Sequence, residues 1–196
     1  MKLFTFLMEF IKHPKHIGAI APSSKILAKK MVDAIDFRNA KYIVELGAGT
    51  GVFTREIMKR KQKHTMFILI EINEVFVRDL QKQFGGDPSV FVIHGSAENM
   101  QTYMRKLQID EVDYVLSGLP FTSLPMEVSS RILSNVAEVL QAQGEFITFQ
   151  YSLVRKSFIQ TFFPDISVTK VWVNFPPAYV LDCRKEVRSA FMYGVT

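Results

Sequence analysis

The residues with the strongest chemical signature are Glu45, Gly47, Gly49 and Gly51. They are spaced as Glu-x-Gly-x-Gly-x-Gly in the run Ile43-Val44-Glu45-Leu46-Gly47-Ala48-Gly49-Thr50-Gly51-Val52-Phe53-Thr54. An apolar stretch precedes them and a helical pattern follows. A strand that turns into a helix through glycines makes a ligand site, because glycine lets backbone approach a ligand and the first helical turn offers free N–H groups. The dinucleotide-binding fingerprint would place its third glycine at position 52, which is Val52. An acid two residues before the first glycine is also foreign to that fingerprint. A second acid, Glu71, closes the apolar run Phe67-Ile68-Leu69-Ile70 and falls 20 residues after Gly51. In an open α/β sheet an acid at the end of the second strand accepts hydrogen bonds from ribose hydroxyls. An ionised carboxylate is acceptor-only and suits two neighbouring donors.

Positioning these groups requires alternating strands and helices. Residues 2–13 read as a helix whose apolar face is Leu3, Phe6, Leu7, Phe10 and Ile11, ended by Pro14. Such a helix either packs on the body of the protein or lies in a membrane interface with Phe6 and Phe10 inserted and Lys12 and Lys15 at the headgroups. A second helix, capped by Ser23 or Ser24, runs to about Ile35 with Leu27, Met31, Val32 and Ile35 inward. Strands are expected at about 41–46, 66–71, 90–93, 112–116 and 145–151. The helix from Val52 to about Arg60, one turning Val75, Phe76, Leu80 and Phe84 inward, one ending near Leu107, and one carrying Val128, Ile132, Leu133, Val136, Val139 and Leu140 lie between them, with Gly144 before the fifth strand. A helix at about 153–163 precedes two final strands, 168–174 and 178–183, joined through Phe175-Pro176-Pro177. Strand and helix alternate through residue 163, so the expected fold is α/β, with a mainly parallel sheet, helices on both faces and an antiparallel edge. Ligands in such folds bind beyond the carboxyl ends of the strands. Here those ends are Glu45 to Gly51, Glu71-Ile72, Gly95 to Glu98 and Ser117 to Phe121.

Composition narrows the function. A chain of 196 residues with 48% hydrophobic content and 17 Phe fits one domain with a sizeable core. We divide it into a leader, 1–22, and a main domain, 23–196. Its one cysteine, Cys183, excludes an internal disulfide, fits a reducing compartment and reads as a buried structural thiol. The net charge of +5 is confined to residues 1–30, which hold six Lys and a single acid, Glu9; the remainder is neutral. This is a neutral domain with a basic leader, not a uniformly basic nucleic-acid binder, and an anionic surface is the partner it suggests. No run approaches the ~18–20 apolar residues that a spanning helix needs. Charge around Lys12-His13-Pro14-Lys15, and Pro22 after Ala19-Ile20-Ala21, argue against a signal peptide. His13 and His16 lack a carboxylate or Cys partner nearby and read as solvated or lipid-facing, so no metal site is expected.

The glycine run resembles the cofactor loop of class I S-adenosylmethionine-dependent methyltransferases. That resemblance implies a Rossmann-like fold with a seven-stranded sheet. It implies that Glu45, Gly47, Ala48, Gly49 and Gly51 hold the amino-acid end of the cofactor, that Glu71 holds the ribose, that Ile72, Ser96, Ala97 and Glu98 flank the adenine, and that Ser117 lines the site. Glu98 reads equally as a first-turn acid stabilising a helix dipole. Methyltransferases of exocyclic base nitrogens commonly carry Asn or Asp where this chain has Gly118, followed by Leu119-Pro120-Phe121. The ribosomal-RNA adenine dimethyltransferases usually carry an acid where this chain has Ser96. The combination of Gly18-Ala19-Ile20-Ala21-Pro22-Ser23-Ser24, the glycine run, Ser117-Gly118-Leu119-Pro120 and Phe175-Pro176-Pro177-Ala178 is similar to the small bacterial phospholipid N-methyltransferases. It implies methylation of phosphatidylethanolamine by an enzyme peripheral on the inner face of the membrane. Gly118 to Phe121 would face the substrate, Phe121 either by cation–π contact or as core, and Glu98, Tyr151 or Tyr179 would assist loss of the amine proton. An rRNA adenine methyltransferase and a non-catalytic cofactor-binding or recruitment module are the alternative readings.

Overall fold

In the computed structural model, residues 22–173 and 176–185 are described. The expected helix at 2–13, residues 1–21 of the leader with His13 and His16, and Phe175 lie outside these residues.

The elements run in chain order as α1 (Pro22–Val32), β1 (Tyr42–Leu46), α2 (Val52–Met58), β2 (Met66–Glu71), α3 (Glu74–Phe84), β3 (Val90–His94), a 3-10 turn (Ala97–Asn99), α4 (Met100–Lys106), β4 (Val112–Ser117), α5 (Met126–Val139), β5 (Leu140–Gln150), α6 (Lys156–Gln160), β6 (Asp165–Val171) and β7 (Ala178–Arg184). They form one seven-stranded sheet in the order β3-β2-β1-β4-β5-β7-β6. The first five strands pair in parallel, while β7 is antiparallel to both β5 and β6. The antiparallel margin foreseen for the last two strands therefore arises by β7 inserting between β5 and β6, which leaves β6 outermost.

Strands buried on both faces read as continuous apolar runs, and β2 is the clearest case. Phe67 and Leu69 point to one face and Ile68 and Ile70 to the other, all fully covered. On the first face they join Leu27, Met31, Val32 and Ile35 of the α1 region, Ile57 of α2 and Leu80 of α3. On the second they join Met100 and Met104 of α4, Ile132, Leu133 and Val136 of α5, and Ile159 of α6. Cys183 is wholly buried there, and burial pushes its thiol pKa far up, so it is an inert core residue.

Several boundaries differ from the sequence reading. Helix α1 starts at Pro22, so Ser23 and Ser24 lie within it, and it ends at Val32. In α3 the cap is Asn73, whose side chain accepts the N–H groups of Val75 and Phe76. That phase turns Phe76, Val77 and Leu80 inward and leaves Val75 exposed. Gly144 does not separate helix from strand. Helix α5 passes directly into β5, and an irregularity in the β4–β5 pairing, between Val112 and Tyr114, absorbs residues 141–144. β6 begins at Asp165 and ends at Val171, and α6 is limited to Lys156–Gln160.

Candidate active site

The parallel register brings the predicted strand ends to one edge. Leu46 of β1 pairs with Ile70 of β2 and Ser117 of β4, and Ser117 pairs with Thr148 of β5. The loops leave in step. Gly47 N–H donates to Ile70 O at 2.8 Å, Gly95 N–H to Glu71 O at 2.9 Å, and Gly118 N–H to Leu46 O at 2.9 Å. Each loop thus extends the ladder by one bond before diverging.

At the β1–α2 turn, Gly47, Gly49 and Gly51 have φ of 70°, 53° and 75°. Side chains are strained in this left-handed region, which is why the turn needs glycines. Gly49 is the informative one, because a Cβ built there meets nothing within 4 Å. The space beside its backbone is open, as a cradle for a ligand requires. Its N–H donates to Glu71 Oε2 at 2.8 Å, and Asn73 N–H donates to Glu71 Oε1 at 2.8 Å. Glu71 is thereby fixed at the end of β2 with one acceptor site on each oxygen still to fill. Ile72, next along, is 69% exposed on the rim.

Glu45 is wholly buried. Thr54 Oγ1 donates to its Oε2 at 2.8 Å, while Oε1 has no hydrogen-bond partner among the described residues. Burial pushes its pKa up to about 8, with the Thr54 bond opposing and the nearby Glu71 adding to the shift. Glu45 therefore braces the turn from beneath through α2. Its unpartnered buried oxygen is the kind of group that a cationic ligand atom would satisfy. Ala48 is buried, and its carbonyl accepts Gly51 N–H at 2.9 Å. Arg55 Nη1 donates to Thr50 O at 3.0 Å and closes the turn from α2.

At the third strand end, Ser96 Oγ accepts Glu98 N–H at 3.2 Å and caps the 3-10 turn, with Ala97 buried behind it. Glu98 Oε2 is ion-paired with Arg131 Nε of α5 at 2.5 Å, and Asn135 Nδ2 donates to Glu98 O at 2.7 Å. This ion pair and the Asn135 bond make Glu98 the fastener between the turn and α5.

At the fourth end the structure decides between the two readings of Phe121. Phe121 is fully buried, edge-on to Phe146 with ring centroids 6.1 Å apart, and Phe146 packs on Phe163 at 5.2 Å. Ser123 and Leu124 N–H both donate to Pro120 O, at 2.8 and 3.1 Å. This turn folds the ring under the loop, so Phe121 is core and offers no face to a substrate. Ser117 is buried and its Oγ accepts Leu119 N–H at 3.2 Å. Gly118 lies against the glycine turn: a Cβ there would stand 2.9 Å from Gly47 O. Leu119, half-buried, reaches the same glycine from above. Gln150, which the sequence reading missed, is 2% exposed and holds the loop by two bonds, with a third to its own strand. It donates to Leu119 O at 3.2 Å and Thr148 Oγ1 at 3.2 Å and accepts Thr122 N–H at 3.4 Å. Tyr151 packs on Phe149 at 5.6 Å, and Phe149 on Phe53 of α2 at 5.7 Å. Tyr179 belongs to the cluster on the other face and has Lys170 Nζ 5.3 Å from its ring centre. The two tyrosines lie on opposite faces of the sheet. Among the described residues no group of three or more His, Cys, Asp or Glu is placed to hold a metal ion.

Against known proteins, the model of the family described as ribosomal RNA adenine dimethylase matches residues 9–168. The chain belongs to that family. It is a methyltransferase, and S-adenosylmethionine is its cofactor. It is 34% identical over 183 residues to an ornithine lipid N-methyltransferase of Singulisphaera acidiphila, covering 92% of this chain and 95% of that protein. It is 26% identical over 123 residues to the ribosomal RNA small subunit methyltransferase A of Thermotoga neapolitana, covering 62% of this chain and 44% of that one. Among solved structures, the 1,6-didemethyltoxoflavin-N1-methyltransferase of Burkholderia thailandensis, crystallised with S-adenosylhomocysteine, superposes with a TM-score of 0.69 over 94% of this chain and 88% of that chain at 10% identity. At that identity the likeness is one of fold.

The residues present fit the family's cofactor on structural grounds. The open cradle at Gly49, the free acceptor capacity of Glu71, the exposed Ile72 and the orphaned oxygen of Glu45 all stand around the β1–β2 strand ends. Thr54, Asn73, Arg55 and Gln150 were not foreseen in these roles. Asn73 could have been found from Asn73-Glu74 standing two residues after a strand-terminal acid, a cap signal; Gln150 carries no local signal.

Proposed function

We propose that this enzyme methylates the primary amine of a lipid headgroup, phosphatidylethanolamine in the first instance, while peripheral on the cytoplasmic face of an anionic membrane. The observation that carries the reading is Gly118. An enzyme that orients an aromatic exocyclic amine benefits from a side-chain acceptor at this strand end and an aromatic ring to stack on the base. This chain has neither: a Cβ at Gly118 would press on Gly47 O, and Phe121 is core. A flexible aliphatic amine needs no planar clamp. The match to a lipid N-methyltransferase, at 34% identity over 95% of that protein, supports the same direction; the rRNA enzymes are matched over 44 to 70% of their length.

When bound, S-adenosylmethionine supplies an electrophilic methyl group on a positively charged sulfur. The chain's own part is to orient the amine and strip water from it, since positioning and desolvation dominate such a transfer. Desolvation also favours the neutral amine that must react. With Glu98 paired to Arg131, Tyr151 and Tyr179 are the proposed partners for the amine's proton and for the cationic product. Glu45, Gly47, Ala48, Gly49 and Gly51 are proposed to hold the amino-acid end of the cofactor, Glu71 the ribose, Ile72, Ser96 and Ala97 the adenine, and Ser117 to Pro120 the boundary between cofactor and acceptor. Residues 2–13, with Phe6, Phe10, Lys12 and Lys15, are proposed to lie in the membrane interface.

The test is methyl transfer from labelled S-adenosylmethionine to vesicles containing phosphatidylethanolamine, to an ornithine lipid, and to ribosomal RNA. Label in the phosphatidylethanolamine is the expected result. Label in RNA with none in either lipid would replace the reading with the RNA one.

A further inference from the structure

The large apolar side chains that this protein leaves in water are not scattered. Ile72, Met126, Leu153, Val154, Trp172 and Val173 all follow the carboxyl end of a strand, in the loops or first helical turns that surround the site. Outside this rim, the exposed ones among the described residues are Ile26, Val75 and Val168. On its acceptor side the strand register brings the rim residues to one level. Gln150, at the end of β5, pairs with Tyr179, and Tyr179 with Lys170 near the end of β6. The residues just past β5 and just past β6 therefore stand level with each other, on the edge that also carries Gly49 and Ser117. Met126 joins them through its sulfur, which contacts the Arg155 guanidinium. Val154 is 83% exposed, Trp172 71% and Val173 65%.

Basic groups are interleaved with these side chains. Lys170 Nζ lies 3.5 Å from the centre of the Trp172 ring. Lys29 and Lys30 of α1 face Trp172 and Lys170 across a groove of about 400 Å³. The acid in that groove, Asp33, is paired with Arg60 at 3.0 Å, so the groove is left with a positive excess. Contiguous exposed apolar surface marks an interaction site. An indole beside a lysine is suited to the headgroup level of a bilayer, where the ring is half in hydrocarbon and the ammonium meets anionic lipid. Bare valines and a leucine beside them offer nothing to a nucleic acid, which is bound through charge and stacking. They gain from contact with acyl chains.

We propose that this rim, Leu153-Val154 on one side and Lys170, Trp172 and Val173 on the other, is a bilayer-docking face that seats the mouth of the site on an anionic membrane. The proposal rests on the lipid reading above and is independent of the helix expected at 2–13. It gives the acceptor a route: a headgroup amine enters the cleft from the plane of the membrane without the lipid leaving it.

Trp172 is the only tryptophan in the chain, so intrinsic fluorescence reports on this surface alone. The experiment uses the full chain with labelled S-adenosylmethionine and vesicles of phosphatidylglycerol and phosphatidylethanolamine, with and without brominated acyl chains, and follows flotation, lipid label and Trp emission together. Emission should move to shorter wavelength and be quenched by the brominated lipid. The double variant Val154→Glu, Val173→Glu keeps the probe and should weaken vesicle binding about tenfold or more, with cofactor affinity by calorimetry and the melting temperature unchanged. Protein that floats while Trp172 is neither shifted nor quenched would overturn the docking face and leave lipid methylation standing. Protein that neither floats nor labels any lipid would overturn both. A Trp172 response to ribosomal RNA and not to vesicles would assign the face to nucleic acid and end the proposal.

Discussion

On the β1–β2 side of the cleft the polar groups are held in place by bonds within the protein, with acceptor positions on Glu71 and one Glu45 oxygen still open. Both Glu71 oxygens accept backbone N–H groups, Glu45 is bonded to Thr54, and three left-handed glycines hold the turn between them. On the β4–β6 side the opposite holds. Phe121 has gone into the core, Gly118 has no side chain, and the outward residues are valines, a leucine and a tryptophan. The cofactor is one molecule with fixed hydroxyls and charges, so a rigid polar mould is what the proposed cofactor half of the site requires. The acceptor side has an apolar edge and few directional groups, which suits a substrate recognised by where it sits as much as by its hydrogen bonds. The difference predicts that substitutions on the first side act on cofactor affinity and stability, and those on the second on access.

The largest expected effect is at Gly49. Gly49→Asp would put a side chain into the only open space of the turn, force a carboxylate-bearing residue to φ 53°, and set a second negative charge beside Glu71. Strain at such a φ costs about 1–2 kcal/mol and the lost cradle more. Affinity for S-adenosylmethionine, measured by calorimetry, should fall by about a hundredfold or beyond, with the fold retained. Near-normal affinity in this variant would mean that the cofactor lies elsewhere.

Glu45 gives the next effect, and it appears in stability. Its pKa is raised from 4.5 in the ordinary state to about 8 in the folded one. Between these values the folded protein keeps a proton that the unfolded chain has lost. The stabilisation that this proton brings is complete below pH 4.5 and disappears as pH rises through 8. The cofactor-free enzyme should therefore lose on the order of a few kcal/mol between pH 5 and 8. Glu45→Gln, which can still accept from Thr54, should remove that part of the slope. Thermal melts of both proteins across this range are the measurement, and equal slopes would show that Glu45 is ionised in the fold.

How much of this was legible in the chain follows the same division. Glu45, the glycines and Glu71 stand within short apolar strands whose two-face burial is written in consecutive Ile, Val and Leu, so their positions at the strand ends could be read directly. Strand β2 was placed to the residue. The acceptor side depends on contacts that have no local pattern. Nothing near Phe121 in sequence says that its ring meets Phe146, 25 residues further on, which in turn packs on Phe163. Gln150 looks like one more polar residue at the end of a strand until the loop it ties down is in view. Val75 was misassigned because four apolar positions fit a helical stripe in either of two phases, and the Asn73 cap selects the one that buries Val77.

The smallest effect is the sharpest test of whether the two sides are separate at all. Gly118 belongs to the acceptor loop by sequence, yet its missing Cβ would lie 2.9 Å from the carbonyl of Gly47, the first residue of the cofactor turn. Contacts under 3.0 Å to backbone cannot be relieved by rotating a side chain, so the two loops would have to part by a few tenths of an ångström. Gly118 N–H is also bonded to Leu46 O, which limits how they can part. Gly118→Ala should therefore weaken cofactor binding, by about three- to fivefold, although alanine never touches the cofactor. The acceptor KM should change by no more than the cofactor affinity does. If instead cofactor affinity is unchanged and the acceptor KM alone rises, the empty place at Gly118 is room for the substrate, and the division between a polar mould and an apolar approach runs through this residue and not beside it.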